Sequence, residues 1–205
     1  MQRTKEMRWF LPHEVPELNR WLDRCPKSTV EQRTDYYLEL HSDDIGIKIR
    51  QGNIEIKKRT SQRSRGCLND TIWGCYDHFE KWSFEGDTKD AAFLEVVDDR
   101  CAEWVPVSKS RKLVQLTQGH EAIMPTTLNR NVDYGCQVEY AEIEVYGERW
   151  YTVGLEWFGN ECMELDARTI TNMFGNTKLH MTQSHGYPSF LAKLGKGQRN
   201  KLLQF

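Results

Sequence analysis

Alternation of apolar and polar side chains dominates this chain and is most regular between Ile45 and Arg59. Ile45, Ile47 and Ile49 share one parity, and Gly46, Lys48 and Arg50 the other. After Gln51-Gly52-Asn53 the rhythm returns, with Ile54, Ile56 and Lys58 set against Glu55, Lys57 and Arg59. Successive side chains of a strand point to opposite faces, so each set is collinear. Two such runs around a short turn with glycine predict a hairpin. Its charged face has two readings: the solvated side of a half-buried sheet, or a basic surface aimed at an anion.

Other segments repeat the pattern. Thr4 to Leu11 is a predicted strand with Thr4, Glu6 and Arg8 on one face and Met7 and Trp9 on the other. Thr34 to Leu40 follows, with Tyr36, Leu38 and Leu40 on one face. Ile72 to Phe84 carries an aromatic face that reads as core rather than as a stacking platform for bases. In Trp104 to Leu116, Lys109 and Arg111 share a face with Val105, Val107 and Leu113. Either that strand emerges into solvent partway along, or the charge pair has a purpose inside. Cys136 to Tyr146 and Arg149 to Phe158 form a second hairpin around Gly147-Glu148. Helical spacing predicts short helices at Pro16 to Leu22, Glu164 to Phe174 and Tyr187 to Leu194. Ala91 to Asp99 fits a helix or a strand, residues 60–71 and 118–130 read as loops, and Lys196 to Lys201 reads as a solvated basic tail. The resulting class is mainly β (α+β). Hairpin-connected antiparallel strands, roughly eight, favour a closed β-barrel with peripheral helices, because closure removes exposed edges. Residues 1–205 are expected to form one domain, with no linker or internal repeat dividing them.

Composition narrows the function classes. The formal net charge of −2 over 205 residues argues against a bulk polycation, and so against binding nucleic acid or a membrane surface through overall charge. No apolar run is long enough for a transmembrane helix, and Met1 to Glu6 lacks the apolar core of a signal peptide, so a cytoplasmic location is expected. Six scattered cysteines (Cys25, Cys67, Cys75, Cys101, Cys136, Cys162) contain no C-x-x-C pair and read as reduced thiols, mostly packed. The six histidines show no ligand spacing, and no P-loop, nucleophile elbow or dinucleotide fingerprint is present.

Charge therefore has to be read strand by strand. Ionisable residues of both signs fall on one face of several strands: Glu6 and Arg8; Lys48 and Arg50; Glu55, Lys57 and Arg59; Lys109 and Arg111; Glu139, Glu142 and Glu144; and Glu156. The opposite faces are apolar. If helices cover those, the charged faces line the barrel interior, where charges need partners. A polyanion together with a divalent metal satisfies both signs: Arg and Lys hold phosphate oxygens, and carboxylates hold Mg²⁺ or Mn²⁺. Each carboxylate can equally be a salt-bridge partner inside the barrel. Register does not decide whether Glu139 or Glu142 faces inward, since a one-residue bulge exchanges them.

The order of these motifs resembles the CYTH, or triphosphate tunnel metalloenzyme, family. The resemblance rests on Thr4-x-Glu6-x-Arg8, on Gly46-Ile47-Lys48-Ile49-Arg50-x-Gly52 leading to Lys57, on Lys109-x-Arg111, on Gly154-x-Glu156, and on a closing helix at Tyr187 to Leu194. It spans most of the chain. Thr4, Arg8 and Gly154 depart from the family pattern, which has glutamate, lysine and glutamate there. The resemblance implies a tunnel that binds a triphosphate, polyphosphate or phosphorylated metabolite and hydrolyses a phosphoanhydride with metal-activated water. Under it, Arg8, Lys48, Arg50, Lys57, Lys109 and Arg111 hold phosphate, and Glu6, Glu139 and Glu156 hold Mg²⁺ or Mn²⁺. No catalytic side chain is named, and Arg8 cannot serve as a base at neutral pH. Two alternatives stay open: a non-catalytic protein for a phosphorylated ligand, and a protein-interaction barrel whose charges pair internally. None involves a membrane or sequence-specific nucleic acid.

Overall fold

The computed structural model describes residues 1–40, 42–98, 103–128, 132–159 and 163–202. Its strands are β1 (Gln2–Leu11), β2 (Thr29–Leu38), β3 (Ile45–Arg50), β4 (Asn53–Arg59), β5 (Ser64–Asn69), β6 (Ile72–Glu85), β7 (Trp104–Gln118), β8 (Ile123–Thr126), β9 (Tyr134–Val145) and β10 (Glu148–Gly159). Its helices are α1 (Pro16–Arg24), α2 (Ala91–Val97), α3 (Ala167–Phe174) and α4 (Tyr187–Leu202). Eight antiparallel strands run in the order β1-β10-β9-β7-β2-β3-β4-β6, and β6 pairs back with β1 to close a barrel. β5 and β8 lie outside this ring, on β6 and β7. No described helix is long and apolar enough to cross a membrane.

Local chemistry accounts for the elements. The predicted first hairpin closes through Gln51 and Gly52, both at positive φ, which matches the right-handed twist of its strands. The β9–β10 hairpin uses the same device at Tyr146 and Gly147. Helix α1 starts with Pro16, whose missing N–H is no loss in a first turn, and buries Leu18 and Leu22. Helix α3 begins at Ala167 because Asp166 caps it, its carboxylate accepting from the Thr169 N–H at 2.7 Å.

The principal core lies outside the barrel wall. Helices α1 and α3 cover outward-facing Met7, Trp9, Val114, Leu116, Val138, Val153 and Leu155, and this layer is nearly solvent-free. The indole N–H of Trp9 donates to the Trp73 carbonyl at 2.8 Å, which satisfies its one polar atom. A second apolar cluster fills one end of the barrel interior: Phe10, Tyr37, Val105, Val107, Ile143 and Val145 meet Phe190 and Leu191 of α4. Phe10 stacks on Phe190 with centroids 3.9 Å apart, and Tyr187 stacks on Tyr37 at 4.9 Å. The N-terminal half of α4 thus plugs the barrel.

Several expectations need correction. The segment 60–71, expected as a loop, contains β5, whose Gly66 lies under the Tyr76 ring where a Cβ would come within 2.2 Å of it. Part of 118–130 is the short edge strand β8, which accommodates Pro125; residues 129–131 lie outside the described residues. The second strand begins at Thr29 rather than Thr34. Ala91–Val97 is helical, and the expected basic tail continues α4 to Leu202. The aromatic face of β6 is covered only in part, since Trp73 and Phe84 are exposed. Of the four described cysteines, all free, Cys25 and Cys136 are buried while Cys67 is exposed; Cys101 and Cys162 lie outside the described residues.

Candidate functional site: a charged barrel lumen

Because strand side chains alternate, each barrel strand sends one parity outward to the helices and the other inward. The inward set carries the charges. A cavity of about 930 Å³ occupies the open part of the lumen, and all nine residues proposed from sequence line it: Glu6, Arg8, Lys48, Arg50, Lys57, Lys109, Arg111, Glu139 and Glu156. Lys48, Arg50 and Lys57 point inward, so the solvated-face reading of the hairpin is wrong for these three. Arg59, of the same parity, does not line the cavity and pairs with Asp77 at 2.7 Å. The register of β9 is settled as well: Glu139 faces the lumen, whereas Glu144 is exposed and Glu142 meets Arg149 on the outside.

Sequence reading missed part of the inner wall. Starting the second strand at Thr34 hid the alternation Glu31-x-Arg33-x-Asp35-x-Tyr37, which faces inward along β2. Asp35 is fully buried, and its carboxylate takes Arg33 at 2.8 Å, Lys109 at 2.9 Å and Lys48 at 3.2 Å. Lys81 of β6 also lines the cavity. Glu55, on the hairpin face but given no role from sequence, is the partner of three cations: Arg50, Lys48 at 3.3 Å and Lys81 at 3.8 Å.

The centre of the wall is built around Arg8. Its Nε donates to Glu6 Oε1 at 2.8 Å, and its Nη1 donates to Glu139 Oε1 at 2.6 Å and to Thr152 Oγ1 at 3.3 Å. The second oxygen of Glu6 accepts from Lys57, and the second oxygen of Glu139 accepts from Arg111 at 2.7 Å. Across the β1–β10 ladder Arg8 faces Gly154, where a Cβ would stand 2.6 Å from Nη2 and 2.7 Å from Cζ. The guanidinium therefore lies flat on the β10 backbone. The Tyr187 ring is a further neighbour, its centroid 5.3 Å from the guanidinium carbon.

These neighbours set the ionisation states. Burial works to raise the Glu6 carboxyl, but Lys57 and Arg8 outweigh it and hold its pKa at about 2. Glu139 and Asp35 are likewise held well below the usual carboxylate range, against burial, by Arg8 and Arg111 and by Lys109 and Lys48 respectively. The lysines divide. Burial pulls Lys48 down to about 7 and Lys109 to about 8 despite Asp35, whereas at Lys57 the charges of Glu6 and Glu156 override burial and raise the pKa. Among the described residues, eight cationic side chains and four carboxylates line the cavity. Adding inward-facing Asp35 and Glu31, beside Arg33 and Arg111, still leaves the described lumen net positive, although the chain as a whole is slightly acidic.

The donor set does not suit the expected Mg²⁺ or Mn²⁺. Among the described residues no three His, Cys, Asp or Glu side chains gather as a metal-holding group. All four oxygens of Glu6 and Glu139 already accept from cationic side chains, and Glu156 has Lys57 at 3.8 Å. No family model matches the chain, and no curated protein matches it in sequence.

Proposed function

We propose that the protein binds a triphosphate, polyphosphate or phosphorylated metabolite in this lumen, in the manner of the triphosphate tunnel family that its motifs resemble. The observation that carries the reading is the sharing of carboxylates: Asp35 and Glu55 each serve three cationic side chains. A buried cation is comfortable only with adequate counter-charge. Phosphate oxygens would supply it, and guanidinium and ammonium groups are well suited to them. A barrel serving only as a protein-interaction module has no need for surplus positive charge on the side a protein cannot reach. The plug at α4 makes the lumen a blind pocket, which suits a small ligand taken from one end.

The reading is one of binding, with no hydrolytic step assigned. Titration of inorganic tripolyphosphate, followed by thermal shift and calorimetry, tests it. A ligand bound only by the native state must raise the melting temperature. Arg50→Ala is expected to weaken binding by about tenfold or more, the range for a charge-assisted hydrogen bond. No shift and no heat at saturating tripolyphosphate would overturn the proposal. Phosphate release in the presence of Mg²⁺ or Mn²⁺ would extend it to a hydrolase.

A further inference from the structure

We infer that this lumen takes its anionic ligand without a divalent cation, because the guanidinium of Arg8 is built into the place between Glu6 and Glu139 that a metal ion would need. The inference rests on the anion-binding reading above and adds the mode of recognition.

Three observations fix Arg8 there. It is 8% exposed and donates to both carboxylates at 2.8 and 2.6 Å. Gly154, its cross-strand partner, leaves no side-chain atom to push it off β10, and any larger residue would collide with it. Its Nη1 also donates to Thr152 Oγ1 at 3.3 Å, and an arginine side chain stays protonated at ordinary pH. The cation is therefore permanent and cannot diffuse away.

A metal ion would need those same oxygens. Mg²⁺ demands near-octahedral oxygen ligation and gives up its own water reluctantly. To bind, it would have to displace Arg8, Lys57 or Arg111 from Glu6 and Glu139 and leave a buried cation unpaired in a lumen already net positive. A guanidinium instead offers five donors in a planar fork, and two of Arg8's nitrogens already serve the carboxylates. Position 8 thus supplies positive charge at the centre of the wall, and the ligand meets it alongside Lys109 and Arg111.

Calorimetric titration of tripolyphosphate into the full wild-type chain, once in EDTA and once in excess MgCl₂, reads this directly. Saturable binding in EDTA is expected, no weaker than about threefold relative to MgCl₂. Binding that appears only with Mg²⁺, or strengthens by about tenfold or more, overturns the inference and leaves the anion-binding reading standing. No heat in either buffer overturns both. A second measurement needs no anion: Mn²⁺ alone is titrated against the wild-type protein and the Arg8→Ala variant, followed by the Mn²⁺ resonance signal and by melting temperature. Wild type is expected to take up no Mn²⁺ equivalent and to melt unchanged. Arg8→Ala, whose Glu6 and Glu139 each lose one cation, is expected to gain Mn²⁺ uptake and a raised melting temperature. Stoichiometric uptake by wild type would also overturn the inference, whether or not the variant folds.

Discussion

Gly154→Ala isolates the contact on which the central wall depends. The backbone at Gly154 is not in the left-handed region, so alanine meets no conformational penalty there. In a neutral setting the change would stabilise by about 0.4–1 kcal/mol through loss of unfolded-state entropy. Here the added Cβ would stand 2.6, 2.7 and 2.9 Å from Nη2, Cζ and Nη1 of Arg8. The guanidinium cannot retreat easily, because Glu6 and Glu139 hold two of its nitrogens. Overpacking of a buried site costs about 1–3 kcal/mol, which for a chain of this size is roughly 3–10 °C in Tm. The sign should reverse in the Arg8→Ala background, where the space is free. A double-mutant cycle by urea denaturation should therefore give a coupling of about 2–3 kcal/mol between positions 8 and 154. Additivity within about 0.5 kcal/mol, or a wild-type background in which Gly154→Ala stabilises, would refute the wedged arrangement.

Three further outcomes follow from the same geometry. Lys48 and Lys109, lowered to about 7 and about 8, carry fewer protons in the folded chain than in the unfolded chain from about pH 7 to 10, so their contribution to stability rises with pH across that window. Tripolyphosphate affinity should fall over the same window as the lumen loses charge; calorimetry from pH 6.5 to 9 beside pH-dependent melting checks both signs, and parallel trends would contradict the assignment. Phe190→Ala empties the plug where Phe10 stacks at 3.9 Å and should cost about 3–5 kcal/mol in denaturant unfolding; a loss below about 1 kcal/mol would show that α4 does not seal the barrel. Asp166→Ala removes the cap of α3 and should cost about 1 kcal/mol by the same assay, with tripolyphosphate binding unchanged, since α3 lies on the outer wall.

Much of this was legible in the sequence because a strand has a period of two. Once Lys48 was placed on one parity, Arg50 followed, and the tight Gln51-Gly52 turn carried the register to Glu55 and Lys57. The same rule put Lys109 with Arg111, and Glu6 with Arg8. What alternation cannot say is which parity is inside. That is decided by α1 and α3 covering the apolar parity, a tertiary contact between distant segments. The β2 wall was missed because Tyr36, Leu38 and Leu40 look like a buried face, yet the inward residues are Asp35 and Tyr37. β5 escaped because its polar residues carry no alternation, and only its pairing with β6 makes it a strand.

Set beside the triphosphate tunnel pattern that the motifs resemble, positions 8 and 154 differ from it independently when the sequence is taken one strand at a time: arginine stands where that pattern has lysine, and glycine where it has glutamate. The β1–β10 register couples the two positions, since Arg8 and Gly154 are direct partners. An arginine is longer than a lysine and planar, and it needs a flat, side-chain-free surface to lie on; glycine provides it. A glutamate at 154 would bring its Cβ 2.6–2.9 Å from the guanidinium, so it could not be introduced while Arg8 keeps this position. Glu6 and Glu139 then remain as the counter-charge that keeps Arg8 buried and oriented, whether or not either carboxylate ever meets a metal. In this lumen a carboxylate is best understood by the cation it already holds, and the surplus of cations over carboxylates is what remains for a ligand to satisfy.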